Sequence, residues 1–362
     1  MKSVTTWLSA ISLGVFTSTA TATPLYQFED IGTLGGPEAA ALDINDSGSI
    51  VGWSSRDNKH ECTTDTSDVN CHFAFLYHNG QMLDLGTASA IAQHTEASRI
   101  NRHGDIIGYQ QETSSNGWHY VALQFVDGKA QALPTLSGDS GLSAVATDIN
   151  DSGDIVGWSD SSDQQDTAVI WQQGQISAVA IHESFFRRAL ANNNLGDIAG
   201  FEYERWSGKP NRGFVLTPDG FTQLQSAEEL WSDGWEINDY GMIAGSSTLR
   251  PFSSVQATIW YPSVAGGLTQ HVVGGLSDQP GIESIFFDIN RSGSAVGFST
   301  LPNGNGRAIA FIQGELYDLN NLVEVEGTLT TANGINRHGD IVGSYINHQG
   351  IERAYLLRAI AE

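Results

Sequence analysis

Seven copies of the pattern Asn-x-x-Gly-x-x-x-Gly, a second pair of strands after each copy, and an N-terminal segment similar to the one strand the last copy lacks predict an all-β fold. The architecture these observations imply is a seven-bladed β-propeller of four-stranded blades, the last blade completed by the N-terminal strand. The copies begin at Asn45, Asn101, Asn150, Asn193, Asn238, Asn290 and Asn336, spaced 43 to 56 residues apart.

Each element follows from the local pattern. The residue before the Asn is Ile in six of seven copies, and Ile recurs two positions after the first Gly in six of seven, so each copy reads strand, tight turn, strand. The Asn side chain can cap the turn, and the first Gly can take positive φ. The second Gly falls inside the next strand, where a missing side chain lets another backbone approach. A third strand begins with a small residue and places a bulky one three further on, as in Ala74/Tyr77, Ala168/Trp171 and Ala257/Trp260. Short turns such as His78-Asn79-Gly80 lead to a fourth strand. The seventh copy ends at Glu362 without one, and Tyr26 to Gly32 resembles the fourth-strand segment Gln81 to Gly86. Pairing the two ends leaves no open sheet edge.

Units such as Ala146-Thr147-Asp148-Ile149-Asn150-Asp151-Ser152-Gly153, and the segment His72-Phe73-Ala74-Phe75, resemble the extracellular repeats named after a His-Ala-Phe signature (HAF repeats). The resemblance spans the mature chain and implies an extracellular propeller. It brings no assigned activity and no catalytic residues. The position before the small residue is Phe73, Val121, Thr167, Arg212, Gln256, Arg307 or Arg353, never His.

The charge balance narrows function. With 41 acidic residues against 17 Lys plus Arg, the formal net charge of −24 excludes the basic footprint that nucleic acids require and disfavours anionic membrane surfaces. Lys2, the apolar stretch from Trp7 to Phe16 and the Ala20-Thr21-Ala22 site read as a signal peptide over residues 1–22, followed by a single domain over 23–362. The expectation is a secreted or periplasmic monomer without membrane insertion. Cys62 and Cys71 are expected to form a disulfide stapling the first variable loop. No cofactor is implied: calcium at the Asn45 and Asn150 turns is weaker than plain turn chemistry, because other copies keep the turn without the acids.

Function is expected on the longer, variable loops, which share one face, whereas the short turns share the other and carry His103 and His338 as turn residues. The fourth unit holds His182, Arg187 and Arg188 before its first strand, and Tyr203, Arg205, Trp206, Lys209 and Arg212 in its variable loop. Residues 180–188 and 202–212 together carry a net +2 in a very acidic chain. Guanidinium groups beside aromatic faces suit an anionic glycan, pairing its carboxylate or sulfate while rings stack on sugars. The alternative is that these arginines pair with neighbouring acids. A second cluster has His94, Glu96 and Arg99 near Trp118, His119 and Tyr120. These residue types suggest a rival activity, a polysaccharide lyase with His94 or His119 and Tyr120 or Tyr203 as base and acid, and Arg187, Arg188 or Arg205 on a uronate. A third reading is a partner-binding scaffold in an envelope assembly.

Overall fold

The computed structural model describes residues 26–56, 71–90, 92–114, 117–139, 141–161, 165–180, 186–204, 207–226, 230–250, 253–264 and 266–360. These residues form seven antiparallel sheets of four strands with almost no helix, a β-propeller. Blade one is β2–β5 (35–84), blade two β6–β9 (92–132), blade three β10–β13 (144–178) and blade four β14–β17 (186–223). Blade five is β18–β21 (232–272) and blade six β22–β25 (284–318). Blade seven is β26–β28 (327–359) with β1 (Tyr26–Asp30) as its outer strand.

The two glycines of each copy do different jobs. Gly48, first in its copy, sits at φ +77 with open space where a Cβ would point, so its role is the turn. Gly52, the second, faces the Ala40 carbonyl oxygen, which a Cβ would strike. The same clash would occur in every blade, at Gly157 against the Val145 carbonyl for instance. Each first strand carries a register shift just beyond this contact, as between Ala146 and Asp148, and the side chain two before the repeat Asn turns towards the ring axis.

Between blades, apolar side chains form separate clusters. One joins Ala144, Ala146, Ile155 and Trp171 of blade three with Ile107 and Ala122 of blade two. Trp171 is fully buried, and its indole N–H donates to the Pro134 carbonyl at 2.8 Å. The small residues that start the third strands, Ala74, Ala122, Ala257, Ala308 and Ala354, are fully buried because the neighbouring blade packs on them.

Closure follows the expected route. β1 pairs antiparallel with β28 (Glu352–Ala359) from Tyr26↔Ala359 to Asp30↔Tyr355. Tyr345 donates its hydroxyl to Asp30 Oδ2 at 2.8 Å, and Arg353 and Arg358 pair with Asp30 and Glu29 at 3.0 and 3.2 Å. Residues 1–22, read from the sequence as a signal peptide, and Cys62 lie outside the described residues.

Candidate functional site

The short-turn face carries more than turns. Each repeat Asn accepts backbone N–H bonds through Oδ1 from positions two and four further on, as Asn150 does from Ser152 and Asp154, both at 3.0 Å. Its Nδ2 then donates across to the backbone carbonyl of the repeat Asn in the next blade. The bonds run Asn45 to Asn101, Asn150, Asn193, Asn238, Asn290, Asn336 and back to Asn45, a closed ring of seven with lengths between 2.9 and 3.3 Å. Inside the ring opens the mouth of the central channel, a cavity of about 250 Å³ reaching Asp148 and Glu236. The sequence marks this face as plain turns; closure of the ring makes it the channel mouth.

Just below the ring, the position two before each Asn places Asp43, Arg99, Asp148, Glu236 and Asp288 around the axis, with Ala191 and Gly334 completing the circle. Arg99 reaches across from blade two, its Nε 3.7 Å from Glu236 Oε2 and 4.0 Å from Asp148 Oδ1. Protein surrounds the cluster, and the ionised carboxylates lose most of their solvation. Burial pushes Asp148 up to about 6 against the opposing pull of Arg99, and burial with the Asp43 charge pushes Asp288 up to about 7. Asp43 and Glu236 are raised for the same first reason, Glu236 strongly. Burial alone would lower Arg99; the carboxylates of Asp43, Glu236, Asp148 and Asp288 more than offset it. Among the described residues no group of three His, Cys, Asp or Glu is arranged to hold a metal ion.

On the opposite face the longer loops meet an aromatic band. Trp118, 61% exposed, lies edge-on to Tyr120 at 5.3 Å, and Tyr120 lies edge-on to Trp158 of blade three at 6.4 Å. The Arg188 guanidinium covers the Trp158 ring at 4.2 Å. It pairs with Asp166 Oδ2 at 2.6 Å, and the Tyr203 hydroxyl donates to the same oxygen at 2.6 Å. Phe186 stacks on Tyr203 at 5.3 Å. The band thus runs from blade two to blade four without a break.

The predicted basic residues are placed as follows. Arg187 is buried with its Nε 3.3 Å from Glu202, and Arg212 reaches the other oxygen of Glu202 at 2.9 Å. Lys209 pairs with Glu204 at 2.7 Å. The blade-four arginines therefore pair with acids, and the partner of Arg188 comes from blade three, outside the stretches that sum to +2. Two guanidinium groups share the single carboxylate of Glu202. His182, Arg205 and Trp206 lie outside the described residues.

The second cluster splits in two. His94 is half-buried; its Nδ1 accepts the His72 backbone N–H at 3.4 Å, and His72 stacks on Trp53 at 3.6 Å. His119 is buried and faces Glu112 at 3.5 Å, whereas Tyr120, its neighbour on the strand, turns into the aromatic band. Glu96 is raised by burial, with Tyr109 bonded to it, and Arg99 belongs to the channel. Sequence reasoning missed the channel cluster. Its signal is a charged residue two before the repeat Asn in five of the seven copies.

Residues 36–170 match the family described as Protein of unknown function (DUF3466). No curated protein matches the chain. The chain is similar to several solved structures, among them the following three. A protein of unknown function from Dyadobacter fermentans is 13% identical, with 93% of this chain and 100% of that chain covered at a TM-score of 0.41. The β-propeller domain of the Trilobed protease from Pyrococcus furiosus is 10% identical over 79% and 97%, at 0.38. The Trypanosoma rangeli sialidase, solved with sialic acid, is 10% identical over 96% and 58%, at 0.40.

Proposed function

We propose that the chain is an exported propeller that binds an anionic extracellular glycan on its variable-loop face, along the band from Trp118 to Tyr203. The observation that carries this reading is the unbroken run of ring faces and guanidinium groups across three blades. Aromatic faces stack on the apolar faces of sugar rings, and Arg188 and Arg212, both about one-third exposed, offer N–H donors to a carboxylate or sulfate. The signal-peptide pattern and the resemblance to HAF repeats support export.

A lyase needs its base and acid within reach of one sugar carbon. His119 and Tyr120 are consecutive on a strand and face opposite sides, and the Tyr203 hydroxyl is bonded to Asp166. Binding is the reading the geometry supports better. The test is calorimetric titration of a polyuronate, a sulfated glycan and a neutral glycan against the protein and the Trp118→Ala and Arg212→Ala variants. The proposal expects an anionic glycan to bind and each variant to weaken it about tenfold, the size of one charge-assisted contact or stacked ring. Appearance of the ultraviolet band of an unsaturated uronate would favour the lyase instead, and no binding to any of the three glycans would overturn the proposal.

A further inference from the structure

Blade two carries a feature that the aromatic band does not use. A cleft of about 300 Å³ opens on the variable-loop side between the linkers that enter and leave this blade. Its walls are mostly apolar, with Val121, Leu133, Pro134 and Leu142, and its polar groups converge at one place. Volumes of this order lie at the small end of ligand sites and suit a ligand of one sugar ring.

Strand pairing explains the convergence. In β7 (Ile106–Ser114) and β8 (Gly117–Val126), Gln110 stands opposite Val121 and Glu112 opposite His119, so these four side chains share one face. Gln110, fully buried, accepts the Ala88 backbone N–H at 2.9 Å and donates to Glu112 Oε1 at 2.6 Å. Ser89 donates to that same oxygen at 2.5 Å. In other blades a Ser at the position of Gln110 ties down the linker, as Ser159 does with the Leu136 N–H and Ser299 with the Leu276 N–H. The longer amide in blade two holds its linker further out, and Ser89 reaches in over the gap to Glu112.

One polar group on this face has no partner. His119 is only 6% exposed, and neither ring nitrogen makes a hydrogen bond; Nε2 stops 3.5 Å from Glu112 Oε2. Glu112 Oε1 is held by Gln110 and Ser89, while Oε2 is left to accept.

We propose that this cleft is a subsite for one neutral sugar ring, whose hydroxyls donate to Glu112 Oε2, the carboxylate oxygen that His119 faces from behind the lining. A carboxylate at the centre of the site repels uronates and sulfates, so the class it selects is the uncharged hexose. The proposal rests on the glycan-binding reading and gives its ligand a neutral residue next to the anionic one held at blade four.

The experiment is saturation-transfer NMR and titration with methyl glycosides of glucose, galactose, mannose and N-acetylglucosamine, and with the methyl glycoside of glucuronic acid. The expected result is binding of at least one neutral glycoside and none of the glucuronide. Glu112→Gln should weaken it at least about tenfold, since the neutral amide is a poorer acceptor. Ala88→Phe, on an exposed linker at the cleft mouth, should block it without touching the core. Failure of all neutral glycosides while an anionic polymer still binds would overturn the subsite and leave the glycan-binding reading standing. Unchanged affinity in both Glu112→Gln and Ala88→Phe would overturn it as well.

Discussion

The channel carboxylates make stability depend on pH in a direction that can be worked out. Asp288 is raised from 3.8 to about 7 in the folded protein, so the native state holds a proton that the unfolded state has released through the intervening range. Wherever the native state binds more protons, stability falls as pH rises. Between pH 5 and 8 this one site removes about 3 kcal/mol, from a shift of about three units at 1.36 kcal/mol each, part of which is already lost at pH 5. Asp148, raised to about 6, acts in the same direction and titrates together with Asp288. The perturbation is Asp288→Asn, which imitates the protonated carboxyl. It gives up one of two backbone bonds, those from the Ile335 and Ile289 N–H groups at 2.6 Å, at a cost of about 1 kcal/mol. Calorimetric melts of both proteins from pH 5 to 8 are the assay. The difference in Tm, variant minus wild type, should move in favour of the variant by about 4 °C over that range, taking about 0.7 kcal/mol/K for the unfolding entropy of a chain this size. A difference that stays constant from pH 5 to 8 would refute the reasoning.

Other consequences follow from the same structure. Asn290→Ala removes one inter-blade donor bond and three turn acceptor bonds, two from backbone N–H groups and one from the Ser292 hydroxyl, and should cost about 2–4 kcal/mol in urea unfolding, whereas Asn290→Asp keeps the acceptor and should cost less. Gly157→Ala drives a Cβ into the Val145 carbonyl and should destabilise by about 3 kcal/mol or more, visible as a lowered urea midpoint. Deleting residues through Asp30 uncovers the β28 edge, and light scattering should then find larger species than the intact chain forms. The protein should show no free thiol before reduction if Cys62 and Cys71 are bonded, as we propose; a thiol titration checks this.

The fold was legible because the repeat is short, frequent and chemically literal. An Asn that caps a turn, a Gly that turns at positive φ and a Gly that admits a carbonyl each state a backbone requirement, and seven copies with a misplaced strand state closure. Function was harder to read because its geometry is made between blades. Asp148, Glu236 and Arg99 are scores of residues apart and meet only once the ring closes. The +2 of blade four was computed within its own loops, yet Arg188 finds its carboxylate on blade three, 22 residues earlier. Likewise, the orphaned His119 is distinguished by what the fold denies it, which no local pattern records.

The central claim is that the variable-loop face, not the Asn-ring face, holds a glycan. Hydrogen–deuterium exchange of the protein with and without a saturating anionic glycan tests it most directly. The account predicts slowed exchange in 117–120, 158–166 and 186–203, with the turns at Asn45, Asn150 and Asn290 unchanged. Protection confined to those turns, or none anywhere with the glycan bound, would contradict it.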